Sequence, residues 1–239
     1  MKIDICLPDR NETELINRAK ELNYDAVAFL YRFKSRGEIL KKREELKDLK
    51  FPVFVGTYLD VKSPKDLKYL DKLYLNSDII GAIAQKEELV RVCAENPRVD
   101  FLFEITTGTG REHTHYRNSN MTSVITGLMK KNKCSYAISF SQILNVEGSA
   151  RAKMLGRIMQ NVRLLRRKIP ILIASFARDA SEVRLPENLA AVSRVLGLNF
   201  PQSKAAIGKN IEEIIKQKER RRDKNFIRPG GKIVDKLHS

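Results

Sequence analysis

Two of the three histidines stand two apart, in His113-Thr114-His115, and that spacing is the sharpest catalytic signal in the chain. On an extended stretch such a pair can share a metal ion, with Glu104 and Glu112 the nearest carboxylates to complete the ligand set. The chemistry would be metal-assisted phosphoester hydrolysis. Arg111 and Arg117 flank the pair and oppose a bound cation. Asp60 and Glu104 fall at the ends of apolar runs, where α/β barrels place catalytic groups. The side chains at comparable ends (Thr57, Ser139, Ser141, Ser175) are neutral, and no Ser/His/Asp set assembles with them. His238 lies near the end of the chain. Cys6, Cys93 and Cys134 are far apart, odd in number and without Cys-x-x-Cys spacing, which predicts three small core hydrophobes. The residues thus predict no catalytic set, no metal site and no cofactor held by this chain.

Basic residues are the stronger feature. A formal net charge of +16 exceeds what solubility requires and points to a polyanion, because each Lys or Arg that meets a phosphate releases condensed counterions. One amphipathic run, from Ser149 to Lys168, places Ala150, Met154, Leu155, Ile158, Met159, Val162 and Leu165 on an apolar face. Lys153, Arg157, Arg163, Arg166, Arg167 and Lys168 fall on the remaining surface with no carboxylate among them, a pattern suited to phosphate. The final turn of such a helix also favours cations through its dipole. Arg178 and Arg184 bracket a polar loop, where they could hold a phosphate or pair with Asp179 or Glu182. Lys218, Arg220, Arg221, Arg222, Lys224 and Arg228 make a basic run before Pro229-Gly230-Gly231. It predicts a helix running out into a flexible tail that orders on RNA.

The elements that must position these residues alternate almost from end to end. Apolar runs at Ile3–Cys6, Asp25–Tyr31, Pro52–Leu59, Asp78–Ala84, Asp100–Ile105, Ser135–Phe140 and Pro170–Phe176 predict strands, several buried on both faces. Between them helical periodicity predicts a helix capped by Asn11 with Glu14 as its box partner, then helices over Ser35–Asp48, Lys86–Glu95, Asn120–Lys131 and Ser149–Lys168. Leu189–Leu196 and Ser203–Lys216 predict two more. Alternation without a midpoint linker implies right-handed βαβ units closed into a TIM-like (β/α) barrel over residues 1–216, followed by a basic tail over 217–239. A doubly wound sheet is the competing architecture, weakened by the lack of Gly-x-Gly-x-x-Gly after an early strand. No apolar run approaches the roughly 20 residues that cross a bilayer. The start, Met1-Lys2-Ile3-Asp4, is too soon acidic for a secretory signal, so a cytoplasmic protein away from membranes is expected.

Four stretches in order carry a resemblance. Ser135-Tyr136-Ala137-Ile138-Ser139-Phe140-Ser141-Gln142-Ile143-Leu144 is followed by Ile171-Leu172-Ile173-Ala174-Ser175-Phe176-Ala177. Glu182-Val183-Arg184-Leu185-Pro186 comes next, then Leu196-Gly197-Leu198 with Ser203-Lys204-Ala205-Ala206. Together they resemble the archaeal ribonuclease P protein component 3 family, whose eukaryotic counterpart is a thirty-kilodalton subunit of ribonucleases P and MRP. The resemblance implies a TIM-like barrel related to the polymerase-and-histidinol-phosphatase (PHP) barrels without their metal ligands. It implies a partnership with ribonuclease P RNA, precursor tRNA, a smaller protein subunit and other ribonuclease P proteins, with chemistry belonging to the RNA and its magnesium. Family-like basic positions fall at Arg184 and Lys204, and then at Arg178 and Lys133. The chain departs from the family's Glu and Tyr at Ile138 and Phe140. Two other readings stay open beside it: a stand-alone PHP-like phosphoesterase using His113 and His115, and a barrel enzyme gripping a substrate phosphate with Arg178 or Arg184.

Overall fold

The computed structural model describes residues 1–107, 117–222, 226–228 and 231–232. The alternation resolves as β1 (Ile3–Cys6), α1 (Glu12–Glu21), β2 (Ala26–Tyr31), α2 (Arg36–Glu45), β3 (Val53–Val61), α3 (Leu70–Leu73), β4 (Ile80–Ala84), α4 (Glu87–Glu95) and β5 (Phe101–Phe103). It continues with α5 (Ser123–Asn132), β6 (Ser135–Ser139), α6 (Phe140–Leu144), α7 (Gly148–Leu165), β7 (Ile171–Ala174), α8 (Pro186–Val195), α9 (Phe200–Ala206) and α10 (Lys209–Arg222). β8 (Phe226–Arg228) and β9 (Gly231–Lys232) form a separate antiparallel pair.

Strands β1 to β7 pair in sequence order, every pair parallel. Closure comes at the β7–β1 seam, where Cys6 bridges Ala177, Phe176 N–H donates to the Ile5 carbonyl at 2.7 Å and Leu7 N–H donates to the Ala177 carbonyl at 2.8 Å. The buried Asp4 carboxylate stitches the same seam, accepting the Ser175 N–H at 2.7 Å and the Ser175 hydroxyl at 2.5 Å. The fold is therefore a seven-stranded TIM-like barrel, and the open doubly wound sheet is ruled out.

Its interior is filled. Ile3, Ile5, Ala26, Ala28, Leu30, Phe101, Phe103, Leu172 and Phe176 pack in one buried cluster. Phe103 and Phe176 stack at 4.7 Å between centroids, and Tyr58 meets Phe103 edge-on at 5.9 Å. Small residues on the neighbouring strands make room for these rings. A Cβ at Gly81 would come within 2.7 Å of the Phe101 ring, and one at Gly56 within 2.5 Å of Leu30. Close packing of this kind fills the space between the described strands with side chains. A second cluster, with Leu15, Ile39, Leu70, Val90, Ile125, Ile158 and Leu165, lies between sheet and helices. All three cysteines are buried and free.

Several sequence expectations shift. Asn11 precedes α1 but makes no side-chain cap; its amide reaches across to donate to the Arg178 carbonyl at 2.8 Å. Phe140 opens α6 instead of ending a strand, because the Ser139 hydroxyl accepts the Gln142 N–H as a cap. On α7, Met159 is 43% exposed, while Asn161 takes a fully buried place on the inner face. The helix expected over Ser203–Lys216 divides at Gly208, whose α-hydrogen side lies against the Met1 carbonyl with no space for a Cβ. Its second half, α10, closes the N-terminal end of the barrel with Ile211 and Ile215 and runs to Arg222. The expected domain boundary after Lys216 thus falls within a helix, and Lys218, expected in a tail, is buried against Asp100 at 2.7 Å and the Tyr74 ring at 4.7 Å.

Candidate nucleic-acid interface

In a parallel barrel each helix runs from the C-terminal ends of the strands back to their N-terminal ends, so position along a helix sets which rim a side chain serves. Arg178 follows β7 and Arg184 lies in the loop before α8, both at the C-terminal rim. Arg157 reaches that rim from mid-α7, donating to the Thr106 carbonyl at 3.2 Å. Arg163, Arg166 and Arg167 sit at the far end of α7, Lys133 is the left-handed cap of α5, and Lys204 closes α9. These five serve the opposite rim. Arg220 is exposed on α10, and the side chains of Arg221 and Arg222 lie outside the described residues. The residues singled out from sequence therefore divide between two ends of the barrel.

Among the described residues, several polar groups of the C-terminal rim pair with one another. Arg32 pairs with Asp60 at 3.3 Å and donates to the Tyr58 hydroxyl at 2.9 Å, while Lys62 takes the other Asp60 oxygen at 2.8 Å. Glu104 accepts the Ser139 hydroxyl at 3.0 Å. Burial raises the Glu104 pKa above its ordinary value, opposed by that hydrogen bond and by the charge of Arg178. Glu104 and Phe176 hold φ of 52° and 50°, a left-handed conformation costing on the order of 1 kcal/mol for each such residue. Neither carboxylate expected to pair with an arginine of the next loop does so. Asp179 caps the Ser181 N–H at 2.8 Å, and Glu182 accepts the Arg178 N–H at 2.8 Å. Arg184 turns inward instead, donating to the Ser181 and Val183 carbonyls and lying 5.7 Å from the Phe140 ring centroid. Among the described residues no three His, Cys, Asp or Glu side chains gather to hold a metal. His113 and His115, with Arg111 and Glu112, lie outside the described residues.

The charge is distributed unevenly. Residues 1–112 contain twenty basic and twenty acidic side chains, residues 113–178 twelve and one, and residues 179–239 thirteen and eight. Two-thirds of the excess thus belongs to the α5–α7 segment, whose one acid is Glu147. Pairing follows the same division. Arg18, Arg32, Lys42, Arg43, Lys47, Lys62, Arg91 and Arg98, all in the balanced half, form ion pairs. Among the described residues no ion pair engages Lys130, Lys131 and Lys133 of the α5 end, Arg163, Arg166 and Arg167 of the α7 end, or Lys204 of α9. Helices α5 and α7 pack side by side, so these cations share one flank. Sequence reasoning passed over Lys130, Lys131 and Arg194; a count of acids over windows such as 113–178 and 188–211, in place of the total charge, is the signal that finds them.

The family model for RNase P subunit p30 matches residues 1–223. The chain belongs to that family. Ribonuclease P protein component 3 of Methanosarcina mazei is 25% identical over 226 residues, covering 93% of this chain and 89% of the relative. The component 3 of Methanocaldococcus jannaschii is 27% identical over 203 residues, covering 82% of each. A chain in a cryo-EM structure of archaeal ribonuclease P with mature tRNA matches the fold with a TM-score of 0.80 at 22% identity, over 99% of this chain and 100% of that one. The same barrel recurs in a probable 2-pyrone-4,6-dicarboxylic acid hydrolase from Acinetobacter baumannii, at TM-score 0.58 and 10% identity over 90% of this chain. This p30-family chain is a protein subunit of ribonuclease P, the enzyme that processes precursor tRNA, and the stand-alone phosphoesterase reading gives way to that assignment.

Proposed function

We propose that this p30-family subunit binds the ribonuclease P RNA along the flank built by α5, α7 and α9, and so supports removal of the 5′ leader from precursor tRNA. The observation that carries the reading is the α5–α7 segment, with twelve basic side chains and one acid and its Lys and Arg outside the ion pairs, set against a half of the barrel where charges balance and pair. Phosphates approaching that flank meet cations with no ion-pair partner to give up, so the counterions released add directly to affinity. Arg163, Arg166, Arg167, Lys133 and Lys204 supply the contacts on this flank. Arg157, Arg178 and Arg184 extend them toward the C-terminal rim, and Arg220, Arg221 and Arg222 along α10. In this reading bond cleavage belongs to the RNA and its magnesium ions. A smaller ribonuclease P protein, other protein subunits and precursor tRNA are the remaining partners, and the cytoplasm is the place of action. No helix among the described residues is long and apolar enough to cross a membrane.

The test is precursor-tRNA cleavage by the cognate ribonuclease P RNA at moderate magnesium, with and without this chain and its smaller protein partner. Stimulation that requires both proteins and the RNA is expected. Phosphoester hydrolysis by the chain alone, dependent on added divalent metal and lost in His115→Ala, would overturn the division of labour.

A further inference from the structure

The corner between α8 and α9 carries a feature that phosphate binding leaves unused. Phe200 is 65% exposed and Val195 76% exposed, the two most open large apolar side chains among the described residues. Phe200 is the first residue of α9, yet the cap is made without it: Gln202 N–H donates to the Asn199 side chain at 2.9 Å, and Asn199 N–H to the Gln202 side chain at 3.1 Å. The ring therefore neither packs the core nor starts the helix. With Ala191, Arg194, Leu198 and Asn199 it lines an open depression.

One cation lies against the ring and others stand on the same helices. The Arg194 guanidinium lies 5.9 Å from its centroid. Lys204 follows Phe200 by four residues on α9, which places both on one helix face a turn apart. Arg166 is tied to the same corner, donating to the Gly197 carbonyl at 2.5 Å while its own carbonyl accepts the Gln202 side-chain amide at 2.7 Å. The stretches that build the corner are free of acids: residues 148–178 and 188–211 contain none. An exposed aromatic ring with an arginine against it and further Arg and Lys on the adjoining acid-free stretches matches the chemistry of an unpaired nucleotide, whose base stacks while its phosphates meet the cations. A base inside a duplex has both faces covered and cannot use such a platform.

We propose that Phe200 is a stacking platform for an unpaired RNA base, with Arg194, Lys204 and Arg166 holding the adjoining phosphates. The proposal rests on the RNA-binding reading above and adds to it a single-strand site at the α8–α9 corner.

The chain contains seven tyrosines and no tryptophan, so Phe200→Trp places its one indole at the platform, where excitation beyond the tyrosine band reads it alone. The full-length variant is titrated with a single-stranded oligouridylate of about ten nucleotides, a length an aromatic-and-basic groove can engage, with a duplex of equal length, and with the cognate ribonuclease P RNA. Emission is expected to be quenched by the oligouridylate and by the ribonuclease P RNA, and left nearly unchanged by the duplex. Phe200→Ala and Phe200→Leu should each weaken oligouridylate binding by about tenfold with the salt slope unchanged, since a base stack and no phosphate contact is lost. Unmoved emission while the unaltered chain binds ribonuclease P RNA with a steep salt slope would overturn the platform and leave the subunit reading standing. Emission that responds to the other protein subunits and not to RNA would overturn it in favour of a protein contact. Failure of the unaltered chain to bind ribonuclease P RNA would instead remove the reading beneath it, and the platform with it.

Discussion

Replacing Asp4 by Asn should make the barrel more stable near neutral pH and less stable in acid. Asp4 is fully buried at the β7–β1 seam, and burial pushes its pKa from 3.8 up to about 6 although hydrogen bonds from the Ser175 side chain and backbone pull it down. A shift of about two units at ~1.36 kcal/mol each makes the ionised seam cost roughly 3 kcal/mol relative to the protonated one. Between the two pKa values the folded chain keeps a proton that the unfolded chain has released. Stability from this group therefore falls as pH rises from about 3.8 to about 6, and stays low above. Asn keeps an acceptor for the Ser175 N–H and offers its amide to the Ser175 oxygen, without a charge to bury. Its second amide hydrogen has no evident partner in the seam, which costs roughly 1 kcal/mol. The expected balance is a gain of roughly 2 kcal/mol at neutral pH, turning into a loss of roughly 1 kcal/mol once Asp4 is protonated. Urea unfolding across the acid-to-neutral range measures this as the difference between the two proteins. Taking the difference removes the carboxylates held below their ordinary range, such as Glu12 and Asp66, whose contributions are lost on acidification. A difference that stays flat from pH 4 to pH 7, the window set by the shift, would refute the burial argument.

Lys218→Ala should cost about 3 kcal/mol, because it leaves Asp100 without its buried cation. For the same reason a chain ending after Gln217 should melt well below one ending after Arg222, and a tail deletion meant to probe RNA binding has to begin beyond α10. Gly56→Ala, with its Cβ 2.5 Å from Leu30 and 2.8 Å from the Ile79 carbonyl, should lower stability by about 1–3 kcal/mol in thermal melts. Joint replacement of Arg163 and Arg167 by Glu should weaken binding to ribonuclease P RNA and reduce the log–log salt slope by about two. The same replacement at the paired Arg18 and Arg91 should change the slope little, and equal effects of the two double variants would contradict the flank assignment. Arg184→Ala and Lys204→Ala should each lower the stimulation of precursor-tRNA cleavage with the circular dichroism of the fold intact.

Much of the architecture was legible in the residues because its causes are local. Runs such as Ala26–Tyr31 and Ile171–Ala174 are apolar without alternation, which only a strand covered on both faces tolerates. Helical periodicity between such runs dictates parallel crossovers, and repeated crossovers without a linker give a barrel. The polyanionic partner was equally legible, since net charge is a property of composition. Four short stretches in order were enough to resemble the family to which the chain belongs.

What the tertiary structure alone decided was which charges are spent. Arg43 and Asp78 are thirty-five residues apart and meet at 2.6 Å, and Lys218 meets Asp100 from the far end of the chain. No spacing rule reaches over such separations. Asn11 looked like a cap and became a tether to Arg178, because a strand six crossovers later returns beside the first. Arg163 and Arg178 lie fifteen residues apart in sequence yet serve opposite rims, since α7 and β7 run antiparallel. Charge and hydrophobic period are written along the chain, whereas pairing depends on which elements closure of the barrel brings together.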